Sequence, residues 1–164
     1  MATLYATNKM TGVAHSASLV QPVFKPMAGN VGVAMGTYEL AANPSQNDVI
    51  RFCRIPKGAI VFAGFLYGDD IDTGTEAFDI DIGWEANGSD AADTDGFGNF
   101  GVLSGDVITE LKPIASIYNP LQGVLLADGP KAFAAETWVS GLVNAAANAG
   151  GTGTVTVVVL YAVP

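Results

Sequence analysis

Strict alternation of apolar and polar positions is clearest over residues 77–85. Phe78, Ile80, Ile82 and Trp84 point one way along an extended chain, and Asp79, Asp81 and Gly83 the other. Successive side chains of a strand alternate faces, so this pattern predicts a strand buried on one face. Residues 48–55 alternate too. They place Val49, Arg51, Cys53 and Ile55 on one face and Ile50, Phe52 and Arg54 on the other. Between them, AIVFAGFLY (59–67) is apolar on both faces, as expected of a strand covered on both sides. Gly64 there marks a bulge or a close approach. Turns at Pro56-Lys57-Gly58 and at residues 68–74 separate these strands.

The flanking chain is read the same way. VGVAMGTYEL (31–40) predicts a first strand, and Asn-Pro-Ser signals make 41–47 a loop. ANGSDAADTDGFGNFG (86–101) reads as the longest loop, because Gly and Asp recur throughout it. A strand is expected over 106–111, ended by Pro113, and an apolar run over 121–127 is broken by Gly123. Residues 137–143 predict a strand around Trp138 and Leu142, and 145–153 a loop of small residues. TVTVVVLYAV (154–163) is the strongest β run and is expected to be central. Left open, such a run would template aggregation. About eight strands with frequent turns predict an all-β antiparallel sandwich of the jelly-roll type. Residues 31–164 are expected to form this single domain. Residues 1–30 are polar and broken by Pro22, Pro26 and Gly29, yet carry Leu4, Tyr5, Leu19, Val20, Val23 and Phe24. They read as a loose tail or as an extended N-terminal arm that orders against a neighbouring subunit.

Composition supports this picture and narrows the partners. A chain of 164 residues that is 49% hydrophobic can bury a real core. The 20 glycines and 8 prolines fit many turns. A formal charge of −9, with only seven Lys and Arg, repels nucleic-acid phosphates and anionic membranes alike. No run of about 18 apolar residues is present to span a bilayer, and no secretory signal is evident. Synthesis in a cytoplasm is the expectation. Cys53 is the only cysteine, which excludes an intrachain disulfide and a cysteine metal cluster. Its apolar neighbours predict a small buried side chain.

Candidate chemistry is sparse. His15 is the only histidine and lies in the irregular N-terminal segment. A histidine-rich metal centre and a Ser-His-Asp triad are therefore out of reach. GxSxG and GxxxxGK[ST] are both missing, so the chain is not expected to be an enzyme. Carboxylates are dense: Asp69, Asp70 and Asp72 in one turn, Asp79 and Asp81 on the next strand, and Asp90, Asp93 and Asp95 beyond. Asp93-Thr94-Asp95-Gly96 matches the middle of a calcium loop. Ala91 and Val102, however, stand where an EF-hand needs its first and last carboxylates. A calcium ion on Asp90, Asp93 and Asp95 is the metal candidate, and a paired-carboxylate glycosidase the catalytic one. Against both stands the plain role of Asp as turn former and solvated charge, which the failed spacing favours. Trp84, Trp138, Tyr67 and Tyr161 are candidates for a sugar platform, but on strands are expected to be core or interface anchors.

The order IRFCRIPKGA, a two-sided apolar strand, GDDIDTGT, FDIDIGWE and an Asp/Gly stretch ending DGFGNFG occupies residues 48–101. This order resembles the small virion proteins of tailed bacteriophages, in particular head decoration (cement) proteins with a jelly-roll fold. The resemblance rests on an "IR-x-x-x-[IL]-P-x-GA" strand and turn and on a "DxDxG" strand. It implies a non-enzymatic protein bound to the outer surface of a capsid, and no cofactor is expected beyond the calcium candidate. The implied partners are the major capsid protein and further copies of the chain, with a trimer favoured. The expected contacts are Lys9, Leu19, Phe24 and Lys25 in the arm, and Arg51, Arg54 and Lys57 as the basic cluster of the fold. The alternatives are a carbohydrate-binding jelly-roll module and a phage tail or fibre domain.

Overall fold

The computed structural model describes residues 7–8, 13–14, 31–39, 44–69, 72, 75, 77–103, 116–148 and 153–163, with the backbone alone at 7–8, 13–14, 69 and 116–119. In chain order the strands are β1 (Thr7–Asn8), β2 (Val13–Ala14), β3 (Val31–Glu39), β4 (Val49–Ile55), β5 (Ile60–Asp69), β6 (Asp79–Trp84), β7 (Asp93–Val102) and β8 (Ser116–Pro120). The one-turn helix α1 (Val124–Ala127) follows, then β9 (Lys131–Ala132), β10 (Thr137–Ala145) and β11 (Thr154–Ala162). One sheet runs β4-β10-β6-β7 and the other β3-β11-β5-β8, with β9 also on β5. Every strand pair is antiparallel. The architecture is the all-β sandwich of jelly-roll type that the alternation predicts, and β11 is central in its sheet.

The inner faces meet through Ile55, Val61, Leu66, Phe78, Ile80, Ile82, Val139, Val143, Val155, Val157 and Val159, all fully buried. At one end Trp84, Phe97 and Phe133 pack edge to face, with ring centroids 5.0 to 6.3 Å apart. That geometry sets the positive ring edge against the negative face of its neighbour. Cys53 is buried in the same core, as its neighbours predict, and burial pushes its thiol pKa up to about 12.

Four expectations are corrected. Residues 93–101 are not loop but most of β7, paired to β6 with two register shifts. Their glycines allow close approach: a Cβ on Gly96 would overlap the Trp84 ring. A Cβ on Gly83 of β6 would overlap the Asp93 carbonyl. The same crossing covers the polar side of β6, which is buried on both faces rather than one.

Strict alternation along β4 also fails. Val139 of β10 pairs with Cys53 and Ser140 with Arg51, so Phe52 is an extra, bulged residue. The bulge turns Arg51 and Arg54 to the same exposed face and sends Phe52 and Cys53 inward together. Finally, β5 is covered on one face only, for Phe62 and Tyr67 stay exposed. Its register with β11 slips at Phe62, while Gly64 is the close approach, lying against Leu121 and the Val158 carbonyl. The strand expected at 106–111 and all of the 1–30 arm except β1 and β2 lie outside the described residues.

Candidate functional site

The outer face of the β4-β10-β6-β7 sheet gathers most of the polar chemistry. The bulge at Phe52 sets Arg51 and Arg54 beside Trp138 of β10, their guanidinium carbons 5.7 and 4.5 Å from the ring centroid. Arg51 donates from Nε and Nη2 to the two carboxylate oxygens of Glu85, at 2.6 and 2.8 Å. The pair raises the Arg51 pKa, chiefly through the Glu85 hydrogen bond. Arg54 donates to Glu136 Oε1 at 2.9 Å. The basic cluster read from sequence is therefore a neutralised, cation-on-aromatic arrangement rather than a free positive patch. Lys57 stands apart on the exposed Pro56–Gly58 turn. Beside the arginines, a groove of about 620 Å³ runs between Val49 and Arg51 on one side and Ala92 and Thr94 on the other.

The aspartates divide by environment. Asp90 is a structural hub. Its Oδ1 accepts from Lys131 Nζ at 3.2 Å, and its Oδ2 from Asn87 Nδ2 at 3.0 Å and the Ala134 amide at 3.2 Å. The Asn87 bond, ahead of Lys131, holds its carboxyl below the ordinary range. Lys131 Nζ also lies 5.0 Å from the Trp84 ring centre, so the hub is tied to the aromatic core.

Asp93 and Asp95 are hydrogen-bonded to each other, and burial first, then Asp95, raises the Asp93 pKa. Asp81 is only 7% exposed, and its Oδ1 is buried without a hydrogen-bond partner. Burial raises its pKa, reinforced by Asp79 and Asp95. The Asn144 amide sits between the two β6 carboxylates, reaching Asp79 Oδ1 at 3.4 Å and offsetting part of the burial effect on Asp81.

This arrangement does not fit calcium at Asp90, Asp93 and Asp95. Asp90 spends both oxygens on Lys131, Asn87 and Ala134. Among the described residues no three His, Cys, Asp or Glu side chains are grouped to hold a metal ion. Asp72 is buried and accepts from the Ala77 and Asn148 amides, each at 2.9 Å, so it pins two loops together. The aromatic candidates do not form a row either. Trp84 is in the core and Trp138 lies under two arginines. Tyr161 packs over Gly32, and Tyr67 is exposed on the other sheet. Lys9, His15, Leu19, Phe24, Lys25 and Asp70 lie outside the described residues.

Sequence reading missed Glu85, Glu136 and Lys131 as partners, because strand pairing alone brings them to Arg51, Arg54 and Asp90. It also missed the outer face of the second sheet. There Val31, Val33 and Met35 of β3 are 60–64% exposed. The alternation of VGVAMGTYE was the available signal.

No protein-family model matches the chain, and no curated protein matches it. Solved structures do. A chain of the capsid asymmetric unit of cyanophage Pam1 matches with a TM-score of 0.60 and 25% identity, over 83% of this chain and 86% of its own length. A chain of the capsid of Ralstonia phage GP4 matches with a TM-score of 0.55 and 18% identity, over 83% and 86%. A chain of the acid-stable capsid of Helicobacter pylori bacteriophage KHP30 matches with a TM-score of 0.52 and 17% identity, over 82% and 88%. At those two lower identities the likeness is one of fold. The fold of this chain is thus one found in phage capsids.

Proposed function

We propose that this chain is a structural protein of a phage virion, and more narrowly a decoration protein that attaches to the outside of the assembled capsid. The observation that carries the reading is the 25% identity to a chain of the Pam1 capsid asymmetric unit, spread over most of both chains. The work proposed is mechanical and needs no catalysis, metal or cofactor. A protein that binds the assembled lattice and not free subunits stabilises the lattice by mass action. Repetition by symmetry multiplies a modest contact. A charge of −9 suits a layer exposed to solvent at high local concentration.

The partner proposed is the major capsid protein. Arg51 and Arg54 are weak contacts, since their charge is already matched within the chain. Lys57 and the arm residues Lys9, Leu19, Phe24 and Lys25 carry the hypothesis. Co-sedimentation with capsids stripped of accessory proteins tests it. The protein is expected to pellet with capsids and to stay in the supernatant with unassembled capsid subunits. Equal binding to both, or to neither, would overturn the reading.

A further inference from the structure

The chain contains one Asn-Gly step, Asn87-Gly88. It lies in the connection from β6 to β7, against the Asp90 hub. There the Asn87 amide is used at both ends. Its Oδ1 accepts from the Ser89 amide at 2.9 Å and the Asp90 amide at 2.6 Å. Its Nδ2 donates to Asp90 Oδ2 at 3.0 Å and to the Ala135 carbonyl at 3.3 Å. These contacts need an acceptor and two donors on one short side chain, which an amide offers and a carboxylate does not. Lys131 Nζ and the Ala134 amide complete the hub on Asp90.

Gly88 is open where Asn87 is held. It is exposed, keeps φ at +86°, and has nothing within 4 Å of where a Cβ would stand. A glycine also brings no side chain to shield its own amide nitrogen. An asparagine Cγ next to such a nitrogen can close a five-membered imide. The Gly88 nitrogen gives its proton to water or base and bonds to Asn87 Cγ. The Cγ–Nδ2 bond breaks, and Nδ2 leaves as ammonia. Water then opens the imide at one of its two carbonyls. The product is aspartate, or isoaspartate with the main chain rerouted through the side-chain carbonyl. The sum is one water consumed and one ammonia released, with no oxidant or reductant required.

We propose that Asn87-Gly88 is a self-modification site, held in check by the Asp90–Lys131 hub and released when that hub opens. The bonds to Ser89, Asp90 and Ala135 fix the Asn87 amide, and Cγ must turn out of them toward the Gly88 nitrogen before the imide can close. Deamidation then prevents the hub from re-forming. The donor Nδ2 is replaced by a carboxylate oxygen that faces Asp90 Oδ2 and the Ala135 carbonyl, so attraction becomes repulsion. Isoaspartate also lengthens the turn by one main-chain carbon and moves the acceptor away from the Ser89 and Asp90 amides. The hub ties the β6–β7 connection to the β9–β10 connection beside the aromatic core, with Lys131 Nζ 5.0 and 5.3 Å from the Trp84 and Phe133 ring centres. Modification therefore loosens that end of the sandwich irreversibly. No part of this rests on attachment to a capsid.

Peptide mass spectrometry with isoaspartate detection, on the full chain aged in mildly alkaline buffer, tests the proposal. The folded chain is expected to convert Asn87 at least about tenfold more slowly than the chain unfolded in urea, because reaction waits on local opening. Asp90→Ala, shown to be folded by near-ultraviolet circular dichroism, should speed conversion at Asn87 and leave Asn99, which precedes phenylalanine, unchanged. Asn87→Asp makes one product directly and needs no ageing. It should melt below the wild type and exchange the Ala134 amide proton faster. Equal rates in the folded and unfolded chain, a folded Asp90→Ala variant no faster than wild type, or an Asn87→Asp variant as stable as wild type would each overturn the proposal. Capsid binding enters none of these readouts, so this inference and the proposed function fail separately.

Discussion

Arg51 and Arg54 lie over the same Trp138 ring, 5.7 and 4.5 Å from its centre, although they are three residues apart on a strand. Only the bulge at Phe52 makes that possible, by adding a residue between them that strand β10 does not match. Each arginine is anchored at its far end, to Glu85 and to Glu136. The best-placed aromatic on this face is therefore already occupied by cations of its own chain.

That occupancy argues against glycan binding at Trp138, because a sugar ring would have to displace two ion-paired guanidinium groups. Titration with soluble oligosaccharides is expected to leave tryptophan fluorescence unchanged. Saturable quenching in the wild-type protein would revive the carbohydrate-binding alternative.

Gly83 and Gly96 are expected to resist replacement. Gly83→Ala drives a methyl group into the Asp93 carbonyl, and Gly96→Ala drives one into the Trp84 ring. Each should cost about 1–3 kcal/mol, the usual penalty for overpacking. Chemical denaturation of both variants measures it, and a loss below about 0.5 kcal/mol in either would contradict the close-approach account of β7.

Acidity should first strengthen the fold and then weaken it. Burial holds the Asp81 carboxyl above its ordinary pKa of 3.8, so the folded chain binds that proton more tightly than the unfolded chain. The stability so gained is complete below about pH 4 and is lost as pH rises through the folded value. Asp93 has the same sign. Asp90 has the opposite sign, and its contribution disappears only as pH falls through its depressed pKa. The melting temperature is expected to rise from pH 7 toward about pH 4–5 and to drop in stronger acid. Asp81→Asn should raise the melting temperature at pH 7 and show little gain at pH 4. An unchanged value at pH 7 would refute the burial argument.

Cys53 should be inert in the folded protein. Its thiol is buried and its pKa stands at about 12, so almost no thiolate exists at pH 8. Labelling by a thiol reagent should track global unfolding. Rapid labelling under native conditions would show that the β4 bulge opens locally.

Much of the sandwich was legible because most of its strands bury one face by a two-residue rhythm. Phe78, Ile80, Ile82 and Trp84 announced β6, and TVTVVVLYAV announced β11 as central. What escaped depends on tertiary contact. The glycines of β7 look like loop residues until the Trp84 ring is laid beside Gly96. The faces of Arg51 and Arg54 hinge on a bulge visible only in the register with β10. The partners Glu85 and Glu136 lie 34 and 82 residues from their arginines, where no local pattern could pair them. The aspartates at 90, 93 and 95 looked like one site, yet Lys131 and Asn87 claim the first and leave the other two to each other.

Attachment to the outside of a phage capsid is the proposed role of this chain. Cryo-electron microscopy of capsids incubated with the purified protein tests it most directly. Added density, into which this β-sandwich fits, is expected at symmetric positions on the outer surface. Bare capsids, or density confined to the tail, would contradict it.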